Sequence, residues 1–143
     1  MRDKKKVLFL CTGNSARSQM AEALLKKYAG EHYEVYSAGL APTDINPLTY
    51  QVMNELGIEL DNQSPKGVER YLGKEYFYYV VSLCRHAEQN CPRIFLTHGE
   101  VLHWDLEDPS SCNGTEEEKL NKFREIRDQI GTRIQNWLST RLR

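Results

Sequence analysis

Apolar and polar positions along this chain follow two periods in turn. Val7 to Leu10 is an unbroken apolar run of strand length, which predicts a short buried strand. From Arg17 the period lengthens: Met20, Ala21, Leu24, Leu25 and Tyr28 fall three or four residues apart. That spacing predicts a helix with Gly30 as its stop. "YEVYSAG" (33–39) predicts a second strand, and Asn46 reads as the N-cap of a second helix, with Pro47 in its first turn and Gly57 past its end. "SPKGVERYLG" predicts a short helix capped by Ser64. Tyr76 to Leu83 is aromatic and β-branched with almost no polar alternation, as suits a central parallel strand covered on both faces. "EVLHWDL" (100–106) predicts a fourth strand. From Glu116 onward, Leu120, Phe123, Ile126, Ile130, Ile134 and Leu138 mark one face of a long last helix.

Strands alternating with helices predict an α/β fold: a four-stranded parallel sheet with helices on both faces, joined by right-handed crossovers. A length of 143 residues suits one domain, 1–143, with one core. Sheets of this kind bind ligands at the carboxyl ends of their strands. Cys11, Cys84 and Asp108 all fall at such ends, so the topology predicts that they share one rim.

Composition narrows the function. Hydrophobic residues make up 40% and charged residues 27% of the chain, which is globular rather than disordered. Nineteen basic against twenty acidic residues leave a net charge of -1, with no signature of a nucleic-acid partner. The basic "MRDKKK" precedes only "VLFL", too short for an export signal or a membrane span; we expect a cytoplasmic protein with no membrane partner. In that compartment Cys11, Cys84, Cys91 and Cys112 are not structural staples, and metal or redox chemistry becomes the question.

The segment Cys11-Thr12-Gly13-Asn14-Ser15-Ala16-Arg17-Ser18 enters a helix from a strand. Helix N-termini present unpaired N–H groups and partial positive charge, so a short loop there can cradle an anion. Gly13 and Asn14 tolerate the left-handed backbone that turns amides inward, and Arg17 can clamp two oxygens with its fork. The same field favours Cys11 as a thiolate nucleophile, and Ser18 can donate to its sulfur. A nucleotide loop of the Walker type is excluded, because no Gly-Lys-Ser/Thr closes the segment.

"CTGNSARSQMAE" resembles the active-site loop of the thioredoxin-coupled arsenate reductases, which share the fold of low-molecular-weight protein tyrosine phosphatases. "VYSAG", "VVSLC" and "HWDLEDP" follow in family order, so the resemblance covers nearly the whole chain. It implies arsenate or phosphate held by Thr12 to Ser18 and attacked by Cys11.

Cys84 and Cys91 lie seven positions apart. A zinc site recruiting them with His98 and His103 does not fit finger spacing. Two core thiols would leave the polar "RHAEQN" between them unexplained. The third reading, which matches the redox helix of the reductases, is that the pair carries a disulfide away from Cys11. Were the segment helical, the two Cα atoms would lie roughly 10 Å apart. A disulfide tolerates at most about 7 Å, so oxidation would have to unwind it.

Asp108, before Pro109, resembles the general acid of this fold, with Asp105 and Glu107 as competitors. Ala16, Gln19, Ser110 and Ser111 depart from relatives that carry cysteine, proline and a tyrosine pair, and the last three departures lean toward the reductases. In some relatives, groups matching Asn14, Glu22 and Ser37 hold potassium with an aspartate; here Lys66 falls at the aspartate's place, so no potassium dependence is expected. Cys112 has no assigned role.

The resemblance implies reduction of arsenate by a Cys11, Cys84, Cys91 relay, with Arg17 and Asp108 assisting, thioredoxin as reductant, and no metal or cofactor. The competing readings are a phosphatase working through a Cys11 phosphocysteine and a module that only binds oxyanions.

Overall fold

A computed structural model describes residues 4–71, 74–85 and 97–141. Four strands form one parallel sheet: β1 (Lys5–Cys11), β2 (Tyr33–Gly39), β3 (Phe77–Ser82) and β4 (Thr97–His103), in the order β2-β1-β3-β4. β1 is central, and its apolar run follows from that position: Val7 to Cys11 are all buried, since a strand flanked on both edges and covered on both faces meets no water. Cys11 pairs with Gly39 and Leu10 with Ser82, so the ends of β1, β2 and β3 reach one rim together.

Among the described residues three α-helices flank the sheet: α1 (Arg17–Ala29), α2 (Pro47–Asn54) and α3 (Glu116–Arg141). The side chain of Asn46 caps α2 by accepting from the Leu48 N–H at 2.9 Å, a contact worth about 1 kcal/mol. Beyond the end of α2, Gly57 takes the left-handed conformation, with φ of 74°. Thr115 and Glu118 exchange hydrogen bonds at the start of α3, a reciprocal cap of two otherwise orphaned donors. α3 packs against α1 and α2 and buries Phe123, Ile126, Ile130, Ile134 and Leu138 as its periodicity predicted, together with Trp137. Among the described residues, no helix is long and apolar enough to cross a membrane.

Three expectations need correction. Among the described residues after Ser64 the expected helix is replaced by a 3-10 turn at Val68–Arg70, entered from Gly67. The preceding residues are held extended because their backbone is used elsewhere. The Lys66 carbonyl accepts from Gly39 N–H at 2.8 Å, and the Lys66 N–H donates to Asn14 Oδ1 at 2.8 Å. The fourth strand starts at Thr97 and stops at His103. Trp104 and Leu106 continue beside β3 by donating to the Ser82 and Leu83 carbonyls, and Trp104 turns in against Phe9. Tyr28 is not part of the core face of α1; it is 39% exposed.

Candidate active site

The first two turns of α1 are an unusual segment of the fold, because Arg17, Ser18, Gln19 and Glu22 are all buried there. Buried polar groups need partners, and these are organised around the loop between β1 and α1. Each carbonyl of that loop accepts a hydrogen bond. Leu40 N–H donates to Cys11 O, Ala41 to Thr12 O, Thr43 to Gly13 O and Asn46 to Ser15 O, at 2.8–3.2 Å. Gln19 Nε2 donates to Asn14 O at 3.0 Å, and Met20 N–H to Ala16 O at 2.9 Å. With its carbonyls held this way, the loop turns one amide, that of Asn14, to the Cys11 sulfur. The Asn14 N–H lies 3.2 Å from that sulfur. Asn14 adopts φ of 51° to make this turn, a left-handed conformation that asparagine tolerates better than most residues.

Behind the loop a hydrogen-bond chain runs from the sulfur into the fold. Cys11 Sγ is 2.9 Å from Ser18 Oγ. Asn14 Nδ2 donates to Ser18 Oγ at 2.7 Å and to Ser37 Oγ at 3.0 Å, and Ser37 donates to Glu22 Oε1 at 2.5 Å. Glu22 is balanced by Lys26 at 2.5 Å and Lys66 at 3.9 Å. The Lys66 ammonium thus stands beside Glu22, as its sequence position suggested. It also donates to the Ser64 carbonyl at 2.6 Å. Burial pulls its pKa below the usual lysine value, and the Glu22 charge opposes that shift.

Arg17 starts α1 with its guanidinium turned toward the exit of β4. Its Nη1 donates to the Leu106 carbonyl at 2.9 Å, and its Nη2 is 3.9 Å from Asp108 Oδ2. Asp108 caps the 3-10 turn Pro109–Ser111, accepting at Oδ1 from the Ser110 N–H and hydroxyl at 3.0 and 2.7 Å. Cys84 follows β3 and is buried, its sulfur 3.5 Å from Thr12 Oγ1. The geometry therefore brings Cys11, the loop from Thr12 to Ser18, Arg17, Asp108 and Cys84 to one rim. Cys91 lies outside the described residues. Cys112 lines a cleft of ≈ 370 Å³ between the start of α2 and the Asp108 turn.

This arrangement gathers a sulfur nucleophile, a loop amide directed at it, a guanidinium and a carboxyl, groups that can together hold and attack a tetrahedral oxyanion. Residues 6–143 match the low molecular weight phosphotyrosine protein phosphatase family. The chain belongs to this family. Within it, the chain is similar to an arsenate reductase from Halalkalibacterium halodurans, 43% identical over 138 residues that cover 96% of this chain and 98% of the relative. Among solved structures it is similar to an arsenate reductase in its phosphate-binding state, with a TM-score of 0.79, 31% identity, and coverage of 95% of this chain and 98% of the other. A thioredoxin-dependent arsenate reductase from Corynebacterium glutamicum gives a TM-score of 0.69 at 29% identity, covering 96% of this chain and 61% of that one.

Several partners in the site carry no periodic signal in the sequence. The carbonyl of Leu106 as acceptor for Arg17, the Thr12 hydroxyl beside Cys84, and the donations of Gln19 and Gln63 emerge only once the chain is folded. The one hint available was polarity at Gln19, in the helix turn next to the apolar Met20 and Ala21.

Proposed function

We propose that this enzyme reduces arsenate to arsenite through a three-cysteine relay. The single observation that carries the reading is the second thiol at the loop: Cys84 is buried with its sulfur 3.5 Å from the Thr12 hydroxyl. Hydrolysis through a phosphocysteine uses water and has no need of a cysteine there. The names of the similar proteins point the same way.

In this reading arsenate sits on the amides of Thr12 to Ser18 and the Arg17 fork. The Cys11 thiolate forms a bond to arsenic while an oxygen leaves as water, with Asp108 supplying a proton. Cys84 then attacks the Cys11 sulfur. A sulfur–sulfur bond forms, the sulfur–arsenic bond breaks, and its electron pair stays on arsenic, which departs as arsenite. Cys91 attacks Cys84 and frees Cys11 as a thiolate. A dithiol reductant, for which thioredoxin is the proposed species, then reduces the Cys84 to Cys91 disulfide. The reading places this chemistry in the cytoplasm, with neither metal nor cofactor.

A second reading, aryl phosphate hydrolysis, is favoured by the fact that Cys11, Arg17 and Asp108 are arranged independently of Cys84. The two separate in one experiment: thioredoxin-coupled arsenate reduction and aryl phosphate hydrolysis, measured in wild type, Cys11→Ser and Cys84→Ser. Reduction requires that Cys84→Ser stop arsenate turnover while sparing hydrolysis, and that Cys11→Ser stop both. Normal arsenate turnover by Cys84→Ser would overturn the relay.

A further inference from the structure

Gln19 is wholly buried, and more hydrogen bonds meet at its amide than the packing of a helix requires. Its Nε2 lies 3.0 Å from each of three acceptors: Asn14 O, Asn14 Oδ1 and Ser64 O. Its Oε1 accepts from Gln63 Nε2 at 2.6 Å. The bonds to Asn14 have a consequence at the sulfur. Asn14 Oδ1 is held as an acceptor between Gln19 Nε2 and the Lys66 N–H, so the other end of that amide must be the donor. That end reaches Ser18 Oγ and Ser37 Oγ. Ser18 Oγ therefore accepts a hydrogen bond from Asn14, and its own proton is free to point at Cys11 Sγ, 2.9 Å away. A hydroxyl donating to sulfur favours the thiolate over the thiol.

We infer that Gln19 is a positioning residue for the nucleophile: by holding both oxygens of Asn14 it keeps that residue left-handed, fixes the orientation of its amide, and so directs the Ser18 proton onto Cys11. The Gln19 side chain bonds to Asn14, Ser64 and Gln63 rather than to the sulfur. Its effect passes through Asn14 and Ser18. The inference rests on Cys11 being the nucleophile and does not depend on which oxyanion it attacks.

The test is alkylation of Cys11 by iodoacetamide as a function of pH, followed by mass spectrometry of the Cys11 peptide, which separates it from the other thiols. Gln19→Met keeps length and removes the donor; Gln19→Asn keeps the amide but falls one methylene short. Each should slow Cys11 alkylation at neutral pH by about tenfold, the size of one lost hydrogen bond to a charged group. Each should also move the pH profile upward, with the wild-type rate recovered in alkali. Gln63→Ala, which removes the bond to Oε1 and leaves the bonds to Asn14, should lower the melting temperature while leaving the Cys11 profile in place. The inference is overturned if folded Gln19→Met or Gln19→Asn keeps the wild-type profile, or if Gln63→Ala moves it equally. A wild type that alkylates as described yet fails to reduce arsenate would instead overturn the proposed reaction and leave the role of Gln19 standing.

Discussion

The Thr12 hydroxyl lies 3.5 Å from the Cys84 sulfur, linking the loop proposed to hold the oxyanion to the thiol that would take over from Cys11. Thr12→Val keeps the side chain's shape and removes that contact. Arsenate turnover should fall by about tenfold, the loss of roughly one charge-assisted hydrogen bond. Aryl phosphate hydrolysis should fall far less, because water replaces Cys84 there. Parallel kcat measurements on the two substrates check this.

Asp108 is held by Ser110 at one carboxyl oxygen, while its other oxygen is 3.9 Å from Arg17. Asp108→Asn preserves the cap but cannot donate a proton as a carboxylic acid does. Both arsenate reduction and aryl phosphate hydrolysis should drop by about 100-fold or more, as expected for loss of a general acid. Hydrolysis of a substrate with a very acidic leaving group should be spared, because it needs no proton.

Gly39 supports the loop from β2 by the absence of a side chain. A Cβ there would lie 2.7 Å from Thr12 O and 2.8 Å from Asn14 N, both backbone atoms that cannot move without the loop. Gly39→Ala should cost about 1–3 kcal/mol, typical of overpacking. It should also weaken phosphate binding, because the Asn14 amide shifts with the backbone. Thermal melts with and without phosphate would show both effects: a lower melting temperature and a smaller upward shift on adding the anion.

Glu55, at the end of α2, binds Arg124 and Arg127 of α3. The Arg124 hydrogen bonds lead in holding its carboxyl below the ordinary value of 4.5, with Arg127 adding to them and burial opposing. A depressed carboxylate contributes stability that is fully present above its unfolded value and is lost as pH falls through its folded value. Melting temperature should therefore decline on acidification below about pH 4.5, more steeply in wild type than in Glu55→Gln. Salt should shrink the difference, because the pair is partly exposed to solvent.

Fold and site were legible in the sequence to different depths. The β1 run and the period of α3 identify their elements because burial on both faces or along one stripe leaves a direct mark on residue order. The region from Ser64 to Gly73 reads as a helix by its local residues, yet Lys66 spends its backbone on Gly39 and Asn14, and tertiary pairing outweighs propensity. The end of the fourth strand is blurred for a related reason: Trp104 and Leu106 keep main-chain bonds to Ser82 and Leu83 beyond His103, while the Trp104 ring packs on Phe9. In the site, Cys11 and Arg17 stand out because a strand-to-helix loop with Gly and Asn has a chemical meaning by itself. The support of Arg17 by a carbonyl at Leu106, 89 positions away, leaves no such mark, since a main-chain acceptor has no residue identity. Gln19 and Gln63 are equally silent, being polar residues whose burial is decided by the fold.

The relay is tested most directly by a single turnover without reductant. Fully reduced protein is mixed with excess arsenate, arsenite is counted per chain, and the disulfide is located by peptide mass spectrometry. The account predicts one arsenite per chain, a disulfide between Cys84 and Cys91, and a free Cys11 that still alkylates. Release of arsenite with no disulfide at Cys84, or a disulfide that leaves Cys91 reduced, would contradict it.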